Sequence, residues 1–511
     1  MKKILAIVLA LVLTISCGAF AVAEGGRELT VGAVTAPQNI SPFTNFTNRQ
    51  PVQQYLYEQL ALKSPEGDIY GIIAKDWTTE DNITFHFEIY DYVYDTAGNH
   101  ITAADCVFSL EHARDDAAVT WISSVEQTGD YTFDLTLTDA SVSNFPTVME
   151  RSPIVSQAAY EAAEDGMATS AVSTAPYMVT DFVPNVSITF EKNPNYWQTD
   201  EALQNPLYKN MTVDKLNYTK ISEAAQQSIA LETGAIDVFE NIANTEVGNF
   251  TEGGRDAADF TAVGVPTDTS YVLYFANSGI CAADINLRKA IMHAIDKDML
   301  VLGAFDGQAM APTFMGAPGG LSDLTPASAS SDYFAYDMAK AQEYLSQSSY
   351  NGETLRLLVP NEDNHNRIAS IVQGYMLAIG INCSIESYDN AMFQSAFGDG
   401  NAWDVAICQM GMSDVAFVWA FLSYELSGGE NGAAGMALKD EKLLELLTTV
   451  LSVDGHNNEN ATIASDYINE MGYGENLITT LNFYIANNNV GLKSVPLLRT
   501  QLYYLACAEF E

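Results

Sequence analysis

The chain has 511 residues, 48% hydrophobic and 17% charged, a composition that indicates a folded protein and excludes a disordered one. Its length exceeds what one hydrophobic core usually supports, so we expect two or three domains. The 65 Asp and Glu against 23 Lys and Arg give a formal net charge of -42, which disfavours nucleic acid and anionic lipid surfaces as partners.

The N-terminus has the pattern of a secretory signal peptide over residues 1–23. Lys2 and Lys3 precede an apolar run over residues 4–15, and Ala21-Val22-Ala23 offers a small-residue cleavage site. A lipid anchor at Cys17 is the alternative, but Thr14 stands where a lipobox usually carries Leu. We therefore prefer cleavage after Ala23 and expect an extracytoplasmic protein of the periplasm or cell envelope.

Five cysteines lie beyond this segment. They show neither a CxxC pair nor a zinc spacing, and their odd number leaves at least one unpaired or intermolecular. One disulfide remains open on this pattern, and its pairing does not follow from it. The residues are Cys106, Cys281, Cys383, Cys408 and Cys507.

The first half of the chain alternates strands with a few helices. Residues 28–34 and 83–94 alternate polar and apolar side chains and predict strands. Thr102 is placed to cap a helix over residues 103–114. Asp105, at the third helical position, is placed to accept a hydrogen bond from Thr102 in return. Ser222 is placed to cap an Ala-rich helix that ends before Gly234.

Residues 173–197 read STAPYMVTDFVPNVSITFEKNPNYW and predict a β-hairpin. Pro184-Asn185 interrupts two extended runs, and Asn193-Pro194-Asn195 ends the second one before Tyr196 and Trp197. The two aromatic residues are expected to have a structural role.

From about residue 266 the pattern predicts an alternating α/β unit. Asp284 and Asp337 are placed to cap helices, the first with an apolar stripe of Leu287, Ile291, Ala294, Ile295, Met299 and Leu302. Strands are predicted over residues 271–276, 354–359, 381–387 and 403–410, with a helix over 367–379. The late apolar runs 477–485 and 502–506 are predicted strands that need a partner sheet elsewhere.

No catalytic or cofactor motif is present. The sequence contains no GxSxG, HExxH or Walker motif, no GxGxxG after a strand, and no two of its six histidines lie three or four residues apart. We therefore expect no cofactor, no metal site and no enzymatic activity, and keep an extracellular hydrolase as the rival class.

Several segments together resemble the family 5 extracellular solute-binding proteins, the oligopeptide- and dipeptide-binding components of ABC transporters. The hairpin resembles the family's "GTGPY … ERNPNYW", and ITAADCVFSL (101–110) resembles "ltAeDVvfSl". INLRKAIMHAIDKDML (285–300) resembles "vRqAl..AiDre.i", and similar short matches occur at residues 74–87 and 231–237. The matching segments occur in the family's order from about residue 28 to the C-terminus.

The resemblance implies an α/β, periplasmic-binding-protein-like type II (cluster C) fold with two lobes built from three domains. Domain I would comprise residues 24–60, 172–265 and 485–511, domain II residues 61–171, and domain III, the second lobe, residues 266–484. Hinge strands are expected near residues 262–272 and 480–488, and ligand binding would close the lobes.

The family resemblance also implies a ligand site. Asp414 is the nearest counterpart of the family's aspartate that holds a peptide ammonium, although it could equally cap a helix over residues 415–422. Trp403, Trp419, Met410 and Met412 are candidates for pocket walls, with core packing as their alternative role.

The expected function is that of the substrate-binding component of an ABC importer, which captures peptides and delivers them to the membrane permease. Nickel, a sugar or another small solute is the alternative cargo. We expect a monomer whose partners are its solute and the permease subunits.

Overall fold

The computed structural model describes residues 26–44, 49, 51–64, 68–115, 119–316, 324–411, 439–493, 495–498 and 502–510. The predicted signal peptide lies outside these ranges. Within them, no helix combines the length and the apolar character that crossing a membrane requires.

The helices of the described residues are mostly short, and some of them pack on the small sheets rather than on the large one. They are α1 (Gln53–Leu56), α2 (Ala103–Asp115), α3 (Asn144–Arg151), α4 (Gln157–Ala162), α5 (Ala224–Glu232), α6 (Asn244–Val247), α7 (Gly279–Ala283), α8 (Ile285–Ala294), α9 (Lys297–Phe305), α10 (Met338–Gln347), α11 (Asp363–Ala378), α12 (Asn390–Phe397), α13 (Glu441–Leu451) and α14 (Asn458–Met471).

The strands fall into one large sheet and three small ones. They are β1 (Glu28–Ala33), β2 (Ala61–Lys63), β3 (Ile69–Gly71), β4 (Ala74–Thr78), β5 (Thr84–Ile89), β6 (Ile122–Gln127), β7 (Thr132–Leu137), β8 (Tyr177–Val183), β9 (Ser187–Lys192), β10 (Lys215–Lys220), β11 (Val238–Glu240), β12 (Phe260–Phe275), β13 (Ala309–Met310), β14 (Leu355–Pro360), β15 (Cys383–Tyr388), β16 (Val405–Gly411), β17 (Gly474–Asn487), β18 (Val490–Gly491) and β19 (Glu509–Phe510).

The large sheet has 11 strands in the order β15-β14-β16-β12-β17-β11-β1-β10-β9-β8, with β13 added on β17. β1 runs parallel to β10 and β11, and β14 runs parallel to β15 and β16. The long strands β12 and β17 pair antiparallel in the middle, from Phe260 opposite Asn487 to Tyr274 opposite Gly474. They connect the two ends of the sheet, and they contain the residues predicted for the hinge.

Separate hydrophobic cores give the molecule two lobes. One core draws its residues from Leu29 to Val265 and from Tyr484 to Ala508. In the other lobe, successive residues of β12 alternate between cores on opposite faces of the sheet, with Tyr271 on one face and Val272 on the other. This is the two-lobed type II α/β fold that the sequence predicted, while the domain boundaries stay predictions.

The β8–β9 hairpin forms as predicted, and its end explains the motif NPNYW. Glu58 lies fully buried beneath the hairpin, where it accepts hydrogen bonds from the Tyr196 hydroxyl at 2.7 Å and from Trp197 Nε1 at 2.9 Å. Burial raises the pKa of Glu58 to about 7, although Trp197, Tyr196 and the nearby Thr174 hydroxyl all oppose the shift. The two aromatic residues thus join the hairpin to the segment after α1.

The predicted helix caps are largely confirmed. At the start of α2 only the part of Asp105 is confirmed: its Oδ2 accepts from the backbone N–H and the hydroxyl of Thr102, both at 2.8 Å, so the Thr102 hydroxyl donates instead of accepting from a helix amide. Asp284 accepts from two backbone N–H groups at the start of α8, and Asp337 does the same at the start of α10. These side chains satisfy amide groups that a helix start leaves without partners.

Three predictions about local structure are wrong. Ser222 does not cap α5, whose N-cap position is Glu223 without a side-chain bond. The predicted single apolar stripe breaks at Asp296, which caps the separate helix α9 and leaves Met299 and Leu302 51% and 54% exposed. Residues 502–506 form no long strand, because the chain turns into a 3-10 helix over Leu505–Cys507.

The five cysteines are all free thiols, and Cys106, Cys281, Cys408 and Cys507 are buried. The disulfide left open by the sequence therefore does not occur in this structure. Burial raises the pKa of Cys383 to about 11, so this thiol remains protonated at neutral pH.

Glu58→Ala should lower the free energy of unfolding by about 3 kcal/mol, because it leaves two buried donors without an acceptor. Denaturant unfolding at pH 7 measures the change. Glu164→Ala, at an exposed position, is the matched control and should change the value by less than about 0.5 kcal/mol. An equal effect of both substitutions would contradict the structural role of Glu58.

Candidate functional site

A cavity of about 610 Å³ lies between the two lobes, beside the paired strands β12 and β17. Each lobe forms one wall and the two long strands lie between them. Its size falls within the range of small-molecule sites.

The wall in the first lobe lies at the carboxyl ends of two parallel strands. β1 and β11 end side by side, with Ala33 opposite Glu240, and the cavity is lined by both residues and by Thr35 and Asn241 that follow. In open α/β sheets ligands bind outside the carboxyl ends of parallel strands. Asn241 has a φ of 58°, a left-handed conformation that Asn tolerates better than most residues.

The two long strands line the cavity where their pairing is irregular. The register shifts between Pro266 and Ser270, and Thr267 and Thr480 meet there with their hydroxyl oxygens 2.5 Å apart. Thr480 also donates from its hydroxyl to the Thr269 carbonyl at 3.1 Å. Side-chain hydroxyls thus replace ladder hydrogen bonds at the irregular point, and all three threonines line the cavity.

The wall in the second lobe combines aromatic and amide side chains. Tyr271 on β12 lies opposite Gln409 on β16 and packs against Phe305, with ring centroids 5.5 Å apart. Asn364, in the first turn of α11, completes this wall. Apolar contact and neutral hydrogen-bonding groups therefore face the same space.

Glu240 is the most perturbed acid of the cavity lining. It is 2% exposed, and the Tyr484 hydroxyl is the side-chain donor that reaches it, in a contact too poorly aligned to satisfy either carboxylate oxygen fully. Burial raises its pKa to about 8, and the Tyr484 hydroxyl opposes that shift. The neutral carboxylic acid therefore predominates at pH 7. A buried, poorly satisfied carboxyl beside a cleft is typical of a functional position.

The structure places two of the predicted site residues in or near a core. Trp403 is fully buried and stacks on Phe397 at 5.4 Å between ring centroids, and it is not among the described cavity residues. Met410 is 9% exposed and contacts the Tyr274 hydroxyl through its sulfur. Met412, Asp414 and Trp419 lie outside the described residues.

Gln409 and Glu240 line the cavity although the sequence analysis did not single them out. Gln409 is a polar residue in the apolar run VAICQMG, and strand alternation turns it away from the buried Met410. This polar residue within an apolar run was a sequence signal that could have identified Gln409. Glu240 ends a short strand with no distinctive motif, so only the fold brings it to the cleft.

Within the described ranges, no three or more His, Cys, Asp or Glu side chains gather in a way that could hold a metal ion. The cavity lining is rich in amides and hydroxyls, which suit hydrogen bonding to a polar ligand, and it also includes the charged residues Glu150, Arg151 and Asp268.

Comparison with known proteins decides the family. The model of the "Bacterial extracellular solute-binding proteins, family 5 Middle" matches residues 68–432. The chain belongs to this family. Family 5 proteins are extracytoplasmic solute-binding components of ABC transporters, and the relatives found here are binding proteins rather than enzymes.

Two curated relatives and one solved structure show the range of family 5. The chain is 22% identical over 417 residues to the nickel-binding periplasmic protein of Escherichia coli K12, covering 76% of each chain. It is 22% identical over 421 residues to the periplasmic oligopeptide-binding protein OppA of Salmonella typhimurium, covering 75% of this chain and 74% of OppA. The unliganded open form of the murein tripeptide binding protein MppA matches with a TM-score of 0.79 at 16% identity, covering 96% of this chain and 98% of MppA.

Glu240→Gln should remove part of the pH dependence of stability. The pKa of Glu240 is about 8 in the folded state, above the ordinary value of 4.5. Between pH 4.5 and pH 8 the folded state therefore binds more protons than the unfolded state. The wild type loses stability as the pH rises through this range. The loss should reach at most about 1.4 kcal/mol per pH unit.

Denaturant unfolding of wild type and Glu240→Gln between pH 5 and pH 8 isolates this contribution, since other buried acids are common to both proteins. Glu252→Gln, at an exposed position, is the matched control. Parallel stability curves for wild type and Glu240→Gln would show that Glu240 does not titrate in this window.

Proposed function

We propose that this family 5 protein captures peptides in the interlobe cavity and delivers them to the permease of an ABC importer. The observation that carries the proposal is the cavity itself, which both lobes line with neutral hydrogen-bonding side chains. They are Thr35, Thr147, Asn241, Asn244, Thr267, Thr269, Asn364, Gln409, Thr480 and Asn482.

Such a lining suits the peptide backbone, in which N–H donors and C=O acceptors alternate. Amides and hydroxyls offer both roles without a fixed charge, so they can satisfy a backbone whatever its side chains are. The binding energy would then come from the part common to all peptides.

The edge of β16 supports the same ligand. β12 pairs with β16 along Val405–Gly411, but β14 pairs only with Val405 and Ala406 on the other side. Among the described strands, none pairs with the rest of that edge. An extended peptide could add there as a further strand, a common mode of peptide recognition.

Relatives supply a second candidate cargo. OppA and MppA are named for binding peptides, whereas the protein of Escherichia coli is named for binding nickel. The described cavity lining contains no His or Cys, the side chains that commonly bind nickel. We therefore favour the peptide, and include a nickel–histidine complex in the test. The protein would act as a secreted monomer that contacts the permease subunits.

A saturating mixture of tripeptides should reduce the radius of gyration of the purified protein, because a ligand held by both lobes favours the closed arrangement. Small-angle scattering measures the compaction, and mass spectrometry checks that the peptides are recovered intact. Compaction with nickel–histidine alone would identify the other cargo. Cleaved peptides would support the rival hydrolase, and no response to either ligand would contradict the proposal.

The proposed role of Asp414 in holding the peptide ammonium gives a separate prediction. The wild type should prefer a free-amine tripeptide to its N-acetylated twin, and Asp414→Asn should lose that preference. A charge-assisted hydrogen bond of roughly 1.5 to 3 kcal/mol corresponds to about one to two decades in affinity.

Calorimetric titration measures both peptides on both proteins. Asp454→Asn removes the same charge at an exposed position and should leave the preference intact. A wild type that binds both peptides equally would assign Asp414 to helix capping or to the surface.

A further inference from the structure

A second cavity, of about 430 Å³, lies entirely within the first lobe. It is enclosed by α1, the β2–β3 hairpin, the segment after the NPNYW motif and the C-terminal segment. Glu150 at the end of α3 lines both this cavity and the interlobe cavity, so α3 separates the two. We call it the lobe-1 compartment.

Most of the compartment wall is apolar. Pro206 and Leu207 face it from one segment, and Leu497 and Leu498 from the C-terminal segment, together with Leu62. An apolar wall of this kind favours a ligand with a hydrocarbon portion, because water gains little from contact with it.

The compartment lining also carries polar groups without partners. Gln53 Oε1 and Asn205 Nδ2 are buried without a hydrogen-bond partner among the described residues, and the buried Gln54 side chain has only the Tyr55 hydroxyl near it. Most buried polar groups in proteins are hydrogen-bonded, so these lining groups are available to bond a ligand or ordered water in the cavity.

Arg49 belongs to the same lining. It is 4% exposed, lines the compartment, and its Nε has no hydrogen-bond partner. Arg49 forms no ion pair with any carboxylate of the described residues, although the whole chain contains 65 Asp and Glu residues. Glu150 and Lys63 also line the compartment, and both are engaged in interactions of their own.

The guanidinium stays charged in this setting. Burial lowers the pKa of Arg49 to about 10, while the neighbouring Tyr57 acts in the opposite direction. A value of 10 still leaves the group protonated at neutral pH. A buried cation without a counter-charge is unfavourable, and an anion bound beside it removes that cost.

We infer that the lobe-1 compartment binds a carboxylate-bearing ligand, with Arg49 holding the carboxylate and the apolar wall holding its hydrocarbon part. The planar guanidinium matches a carboxylate through two parallel hydrogen bonds. Two sources fit this chemistry. The carboxyl end of a bound peptide rests on the proposed function, whereas a free apolar carboxylic acid does not.

The test uses two matched pairs of probes on the full-length mature protein. One pair is the tetrapeptide Ala-Ala-Ala-Leu as free acid and as C-terminal amide, and the other is decanoate and decanamide. For whichever pair of probes binds in the compartment, the wild type should bind the carboxylic acid at least tenfold more tightly than the corresponding amide. Arg49→Gln should abolish that preference, and Arg367→Gln, at an exposed position, should retain it.

Each outcome decides one question. An Arg49-dependent preference in the tetrapeptide pair supports the compartment with the peptide end as occupant, and in the decanoate pair alone it supports a free acid. If the wild type shows the Arg49-dependent preference for decanoate but binds neither tetrapeptide, the inferred carboxylate site is supported and the proposed peptide binding is contradicted.

Equal affinity for acid and amide in both pairs, or no binding of any probe to the wild type, overturns the inference. So does a preference that survives in Arg49→Gln. Should that variant not fold, Arg49→Met tests the same charge with a side chain that suits an apolar site.

Discussion

The pairing of β12 with β17 is the constraint on which the rest of the structure depends. These strands are 16 and 14 residues long, and their ladder runs from one lobe to the other. Any change in the angle between the lobes must be absorbed along them. The longer of the two register irregularities in this ladder lies between Pro266 and Ser270, and the cavity lies beside it. A ligand bound there contacts both lobes and the segment that would bend.

The buried ionisable groups divide into those with partners and those without. Glu58 accepts two hydrogen bonds, and Lys297 Nζ lies 2.9 Å from Glu475 Oε1 and 2.6 Å from Asp332 Oδ2. These groups lie within the lobes, where the contacts offset the loss of hydration. Among the described residues, Arg49 has no ion-pair partner and Glu240 has only the poorly aligned Tyr484 hydroxyl, and each lines a cavity. The incompletely satisfied buried groups therefore coincide with the spaces where a ligand could supply a contact.

Local chemistry explains which parts of this fold the sequence could predict. The helix caps Asp284 and Asp337 and the β8–β9 hairpin depend on residues close to one another in the chain. Their sequence patterns were therefore sufficient to predict them. The segment 502–506 has the apolar character of a strand, but tertiary packing folds it into a 3-10 turn whose side chains are buried.

The sites themselves were harder to predict because they depend on long-range convergence. The family resemblance suggested Trp403 as a pocket wall, with core packing as the alternative, and the structure buries this side chain in a core. Gln409 is visible only once the strand is known to end at the cleft, and Arg49 only once four separate segments enclose it. No spacing rule in the sequence relates residues so far apart.

The two cavities should differ in how binding is linked to closure. The interlobe cavity is completed by both lobes, so its occupant gains contacts when they approach and shifts the population toward the closed form. The lobe-1 compartment is built from one lobe, and a ligand confined to it has no such differential effect. A single ligand that extends past α3 into both cavities would bind more tightly than a ligand of either cavity alone. Its binding in one cavity would raise its effective concentration at the other. In that case Arg49 would strengthen binding while the interlobe contacts alone drove closure, so substitutions on the two sides of α3 would change affinity and compaction separately.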